Sequence, residues 1–146
     1  MTGTDGRTAI VTGASSGIGR AVAEALLAEG WRVGLIARSA KPLQEMAAAH
    51  RAATALPADV TDAGATKAAF GRFADSAGRL DLLFNNAGVF GPAAPIDEVP
   101  VEAFDEVVAV NLRGMFIAAR LAFAQMRRQG PRGGRIVNNG SVSAHV

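Results

Sequence analysis

Short runs of apolar residues alternate along this chain with longer segments in which apolar residues recur every three or four positions. Thr8–Thr12, Arg32–Ala37, Thr54–Pro57, Leu80–Asn85 and Arg135–Asn139 have the length and apolar content of strands. Two of these runs, Leu80-Asp81-Leu82-Leu83-Phe84 and Ile136-Val137, are apolar enough to predict strands buried on both faces. The periodic segments Ile18–Glu29, Ala40–Arg51, Asp62–Ala77 and Val101–Gln129 predict helices. Gly30 follows the first helix as a capping glycine does, and Thr61-Asp62 offers an N-cap to the third. Gly130-Pro131 stops the fourth. Strict β-α-β order predicts an α/β protein, a parallel sheet with helices on its faces. No repeat or low-complexity linker interrupts the 146 residues, so they read as one domain.

Composition narrows the function classes. The chain has no cysteine, which excludes a disulfide framework and a thiolate metal site, and no metal is expected. Met1-Thr2-Gly3-Thr4-Asp5-Gly6-Arg7 lacks a secretory apolar core, and no later run is read as long enough to span a bilayer. A cytoplasmic protein without a membrane partner is the expectation. The net charge of +2 raises nucleic acid as a partner. The arginines are scattered, however, and Arg127-Arg128 and Arg132 to Arg135 lie near a helix end, where cations complement the helix dipole. No nucleic-acid partner is expected.

The chemistry concentrates at the ends of the strands. Thr12-Gly13-Ala14-Ser15-Ser16-Gly17-Ile18-Gly19 follows the apolar run Ala9-Ile10-Val11 and opens the first helix. Glycines there let the backbone turn tightly and approach a pyrophosphate, and the first helical turn offers free N–H groups to its oxygens. The spacing is G-x-x-x-G-x-G. Together with Asn85-Asn86-Ala87-Gly88 and Asn138-Asn139-Gly140-Ser141, this resembles the short-chain dehydrogenase/reductases. The resemblance implies a Rossmann-like doubly wound parallel sheet and a nicotinamide dinucleotide as cofactor. It covers essentially the whole chain but only the first part of the family's domain. Five strands are therefore expected here, and further C-terminal strands and helices beyond Val146.

Several roles follow from the resemblance. Gly13, Ser15, Ser16, Gly17, Ile18 and Gly19 hold the pyrophosphate and the adenosine ribose phosphates. Asp59 accepts from the adenine amine while Val60 covers the ring, although Asp59 also suits a helix cap. Asn86, Ala87 and Gly88 lie near the cofactor's ribose, with Asn85 a structural member. Asn111, which on pattern alone reads as a buried and satisfied amide, becomes the catalytic asparagine that holds a water in the proton relay. Ser141 donates to the substrate carbonyl, and Gly140 stands where the family usually has another serine.

The second strand ends in Ala37-Arg38. An acidic residue there would bind the adenosine ribose hydroxyls and favour NAD. Alanine removes that carboxylate, and a guanidinium matches phosphate geometry, so NADP is the expected cofactor, with NAD the alternative. The competing reading of Arg38 is an exposed arginine at a loop start. The expected partner is a small alcohol or carbonyl compound, and the complete protein is expected to be a homo-oligomer.

One group is missing. The family protonates its substrate with a tyrosine activated by a nearby lysine, and these 146 residues contain no tyrosine. Lys41 and Lys67, the only lysines, fall on helices of the adenosine-side half, and His50, His145 and Ser143 are not oriented by any pattern. Two readings stay open: an oxidoreductase whose acid lies in a further segment, inactive as the chain stands, and a non-enzymatic dinucleotide-binding module or pseudoenzyme.

Overall fold

A computed structural model describes residues 6–141. Five strands, β1 (Thr8–Thr12), β2 (Arg32–Ala37), β3 (Ala53–Pro57), β4 (Leu82–Asn85) and β5 (Arg135–Asn138), form one sheet in the order β3-β2-β1-β4-β5. All neighbours are parallel. Helices α1 (Gly17–Ala28) and α2 (Ala40–Ala49) cover one face, and α3 (Ala63–Ala77) and α5 (Met115–Arg128) the other. Alternation along the strands sorts the core between these layers. Ile10 and Ile36 join Phe70, Phe73, Ala118 and Met126 on one side, while Val11 and Leu35 join Ala23, Leu27 and Leu43 on the other. This is the expected α/β arrangement, and its order reverses between β1 and β4, where such sheets open a ligand crevice.

Three local departures have identifiable causes. Strand β4 begins at Leu82 rather than Leu80 because the Gln129 side chain takes both backbone groups of Leu80. Gln129 Oε1 accepts from the Leu80 N–H at 2.8 Å, and Gln129 Nε2 donates to the Leu80 carbonyl at 2.8 Å. The fourth helical segment is one rod of three parts: α4 (Val101–Val108), a wider π-helical stretch at Ala109–Gly114, and α5. Strand β5 was expected to be buried on both faces, yet Arg135, Val137 and Asn138 are exposed. It lies at the sheet edge with β4 as its one strand neighbour, and only the α5 side is packed.

The rod also corrects the expectation about membrane spans. Val101–Arg128 is 28 residues long with a mean hydropathy of 1.6 in its most apolar stretch, enough by length and composition to cross a bilayer. Its inner face, including Val110, Ile117, Ala118 and Ala122, is nonetheless packed against the rest of the domain. Asn111 and Arg113 interrupt the apolar run in sequence, which hid its length.

At the amino ends of β1 and β4 a polar knot replaces apolar packing. Asp81 Oδ2 accepts from the Thr8 N–H at 3.0 Å and from the Thr8 hydroxyl at 3.2 Å, and Asp81 Oδ1 accepts from Arg79 Nε at 2.7 Å. Burial pushes the Asp81 carboxyl up, but Arg79 and the Thr8 donors together hold it below its ordinary value of 3.8. A carboxyl depressed in the folded state stabilises above its unfolded pKa and loses that contribution as pH falls through the folded value. Asp81→Asn is therefore expected to lower the melting temperature at pH 7, with the gap to the parent closing below about pH 4. Thermal melts of both proteins across pH 3 to 7 measure this.

Candidate functional site

The carboxyl ends of all five strands converge on a cleft of about 710 Å³, within the range of small-molecule and cofactor sites. Its floor is the turn from β1 into α1. Gly13 has φ +66° and Gly17 φ +55°, conformations that L side chains rarely adopt. Gly19 meets a different constraint. A Cβ there would sit 2.2 Å from the Gly13 carbonyl oxygen and 2.6 Å from Asn86 Nδ2. Ser16 is the N-cap of α1, but its side chain bonds none of the helix's N–H groups. The first turn of α1 thus presents free donors and the positive end of its dipole to the cleft. Ser15, Ser16, Gly17 and the exposed Ile18 line it beside them.

The loop is locked from beneath by a buried threonine. Thr12 Oγ1 accepts from the N–H groups of Asn86 at 2.9 Å and Ala87 at 3.0 Å. Asn86 Nδ2 donates to the Thr12 carbonyl at 3.2 Å, and Asn86 Oδ1 accepts from Asn139 Nδ2 at 2.8 Å. Asn86 therefore lines the cleft while its amide braces three strand ends. Asn85, only 1% exposed, is structural as expected: its Nδ2 donates to the Met115 carbonyl and to Asn138 Oδ1. Thr12 and Asn139 stand in the motifs quoted from sequence, but neither is given a role there. Their signal was position alone, at the carboxyl ends of two adjacent runs.

On the adenosine side, Ala37 is buried and Arg38 exposed at the cleft wall. Asp59 Oδ1 accepts from the Thr61 N–H at 2.9 Å and the Thr61 hydroxyl at 2.8 Å. The backbone N–H of Thr61, then its hydroxyl, and more weakly the Arg38 charge hold the Asp59 carboxyl below its ordinary value. It stays ionised at neutral pH with Oδ2 available as an acceptor. The cap of α3 is Asp62, which accepts from the Ala65 N–H at 2.9 Å, so Asp59 is not needed there. Val60 is buried beside Gly114, where an added Cβ would come within 2.9 Å of Val60 Cγ2.

At the opposite end of the cleft stand Ala87, Gly88, Val89, Phe90, Asn111 and Ser141. Asn111 lies in the π-helical stretch, its Oδ1 accepting from the Val89 N–H at 2.8 Å and its Nδ2 donating to the Val89 carbonyl at 2.9 Å. The amide is satisfied as the pattern-based reading has it, but Asn111 is half-buried rather than buried. The pairing fixes the rod to the loop after β4. It uses one of the two lone pairs of Oδ1 and one of the two hydrogens of Nδ2. Ser141 is exposed at the cleft mouth. Val89 and Phe90 were not read as site residues; Phe90 is fully exposed there, an uncommon position for an aromatic ring.

All the sequence-derived site residues except Gly19, which acts through packing, thus line one cleft. His50 is exposed at the end of α2, and Lys41 and Lys67 lie on α2 and α3, outside the cleft lining. Ser143 and His145 fall outside the described residues. Among the described residues no group of three or more His, Asp or Glu is placed to hold a metal ion. The fit to a dinucleotide is good on geometry: a cradle that a Cβ would fill, open N–H donors, and an ionised acceptor at the far end.

Comparison with known proteins agrees with this geometry. The family model for short chain dehydrogenase matches residues 7–146. The 2-(R)-hydroxypropyl-CoM dehydrogenase of Xanthobacter autotrophicus is 44% identical over 96% of this chain and 58% of its own length. A 3-ketoacyl-(acyl-carrier-protein) reductase from Brucella melitensis, solved with NADH, superposes with a TM-score of 0.90 at 30% identity, covering 96% of this chain and 59% of that one. A short chain dehydrogenase from Burkholderia cenocepacia, solved with NADP, gives 0.86 at 37% identity, covering 99% and 59%. The chain spans little more than half the length of the relatives it matches. Over that span it belongs to the short-chain dehydrogenase family.

Proposed function

We propose that this chain is the cofactor-binding part of an oxidoreductase that interconverts a small alcohol and its carbonyl compound, with NADP(H) preferred over NAD(H). The observation that carries it is the single cleft uniting the glycine turn, Arg38, Asp59, Asn111 and Ser141. The open N–H groups of α1 and the hydroxyls of Ser15 and Ser16 bind the pyrophosphate. Asp59 accepts from the adenine amine and Val60 covers the ring. Arg38 pairs the 2′-phosphate, and buried Ala37 presents no carboxylate to repel it. The bound nicotinamide supplies or accepts hydride. Ser141 donates a hydrogen bond to the substrate oxygen. Asn111 positions the loop after β4 by its paired bonds to Val89, and its amide keeps one further lone pair and one further N–H with which to hold a water.

Both cofactors occur in the solved relatives, and the preference proposed for this chain rests on Arg38. Charge-assisted hydrogen bonds contribute about 1.5–3 kcal/mol, which corresponds to a preference of roughly ten- to a hundredfold. Calorimetric titration of NADP and NAD into the parent and Arg38→Ala tests it. The parent should prefer NADP, and the variant should lose that preference with NAD affinity unchanged. Equal affinities in the parent would refute the preference.

The 146 residues contain no tyrosine, so their own chemistry does not separate this reading from a dinucleotide-binding module that does no chemistry. A Tyr-x-x-x-Lys segment encoded directly after Val146 would decide for the enzyme.

The rod adds a partner, a second copy of the protein. Val101, Phe104, Leu112, Phe116 and Phe123 are exposed along it, with Glu102, Asp105 and Glu106 at one end and Arg120 and Arg127 toward the other. Two antiparallel rods would bury the apolar stripe and place acids beside arginines, the self-complementarity of a two-fold interface. Sedimentation at several concentrations should show self-association that Phe116→Glu suppresses; a dilution-resistant monomer would count against it.

A further inference from the structure

A second cavity, sharing no residue with the cofactor cleft, lies between α3 and α5 over the sheet. Its volume is about 150 Å³. Apolar cavities of roughly that size in other proteins hold a benzene ring. Ile10, Phe70, Phe73 and Leu80 make an apolar floor, each no more than 6% exposed. Lys67 and Arg128, both exposed, stand at the rim with Gln125. The ion pairs of the described residues are Arg20–Glu24, Lys41–Glu45 and Arg79–Asp81, so neither rim cation has a carboxylate partner. Gly71 leaves the wall open: a Cβ built there meets nothing within 4 Å. Glycine inside a helix is destabilising relative to alanine, and at Gly71 neither backbone angle nor crowding requires it.

An apolar floor of this size beneath two unpaired cations selects a small ligand with an apolar body and one negative charge. We propose that this cavity binds a small aromatic or branched monocarboxylate, its apolar body on Phe70, Phe73 and Leu80 and its carboxylate at Lys67 and Arg128. A long-chain fatty acid is too large for the volume. A neutral ring of the same shape gains the floor but not the charges.

Titration of the chain with benzoate and with benzyl alcohol, followed by calorimetry, tests the site. Benzoate should bind saturably and at least tenfold more tightly than benzyl alcohol. Joint replacement Lys67→Gln and Arg128→Gln should erase that difference. Gly71→Met, which favours the helix and places a side chain in open space, should weaken both ligands tenfold or more while the melting temperature is maintained. No saturable binding, equal binding of the two probes by the parent, or benzoate affinity unchanged in Gly71→Met would each overturn the proposal.

Discussion

Gly19→Ala is expected to abolish dinucleotide binding, with at least a hundredfold loss of affinity. The added Cβ would lie 2.2 Å from the Gly13 carbonyl oxygen and 2.6 Å from Asn86 Nδ2. Neither neighbour is the loose end of a flexible chain. Gly13 is held by its own left-handed turn, and Asn86 by Thr12 and Asn139. Helix α1 must therefore move away from β1, which takes its N–H donors off the phosphates. Gly17→Ala makes the informative contrast. There nothing lies within 4 Å of the new Cβ, and the cost comes only from φ +55°. A residue in that region costs on the order of 1–3 kcal/mol, so Gly17→Ala should bind measurably, more weakly than the parent and more tightly than Gly19→Ala. Calorimetric titration of NADP into all three proteins gives the order.

The second large effect concerns turnover. Hydride transfer to a carbonyl compound requires a proton at the developing alkoxide, and these 146 residues contain no tyrosine to deliver it. Ser141 can polarise the substrate oxygen but is too weak an acid to supply the proton. A positioned acid contributes typically a hundred- to ten-thousandfold, so the chain on its own should oxidise NADPH with ketones at a negligible rate. A longer protein that adds a Tyr-x-x-x-Lys segment should recover the rate and lose most of it again on Ser141→Ala. Steady-state assays at saturating NADPH measure both. Robust turnover by the 146 residues, lost on His145→Ala, would make that histidine the acid instead.

How far the sequence carried depends on whether a feature is encoded by neighbours in the chain or by partners far from it. The strands and the layering were legible because Ile10 and Val11, or Leu35 and Ile36, must face opposite sides of a sheet and each finds an apolar partner there. The glycine turn was legible because strand, spacing and helix lie within one short segment. The early start assigned to β4 failed because Leu80 is bonded by Gln129, a residue 49 positions away that no local pattern links to it. The π-helical stretch was hidden because one extra residue per turn barely disturbs an apolar periodicity. Asn111 and Arg113 were its visible traces, polar residues in an apolar run. Exposure of β5 was hidden for the reverse reason: Ile136-Val137 reads as a buried strand whether or not a layer covers its second face. The brace of Thr12, Asn86 and Asn139 joins three strand ends that only the folded sheet brings together.

Determination of the structure after addition of NADP would show whether the cleft at the carboxyl ends of the five strands holds a nicotinamide dinucleotide in one defined direction. The pyrophosphate is expected over the first turn of α1 at Gly17 to Gly19, the adenine between Asp59 and Val60, the 2′-phosphate on Arg38, and the nicotinamide toward Asn111 and Ser141. A cofactor bound in the reverse direction, bound outside this cleft, or not bound at millimolar concentration would contradict this placement.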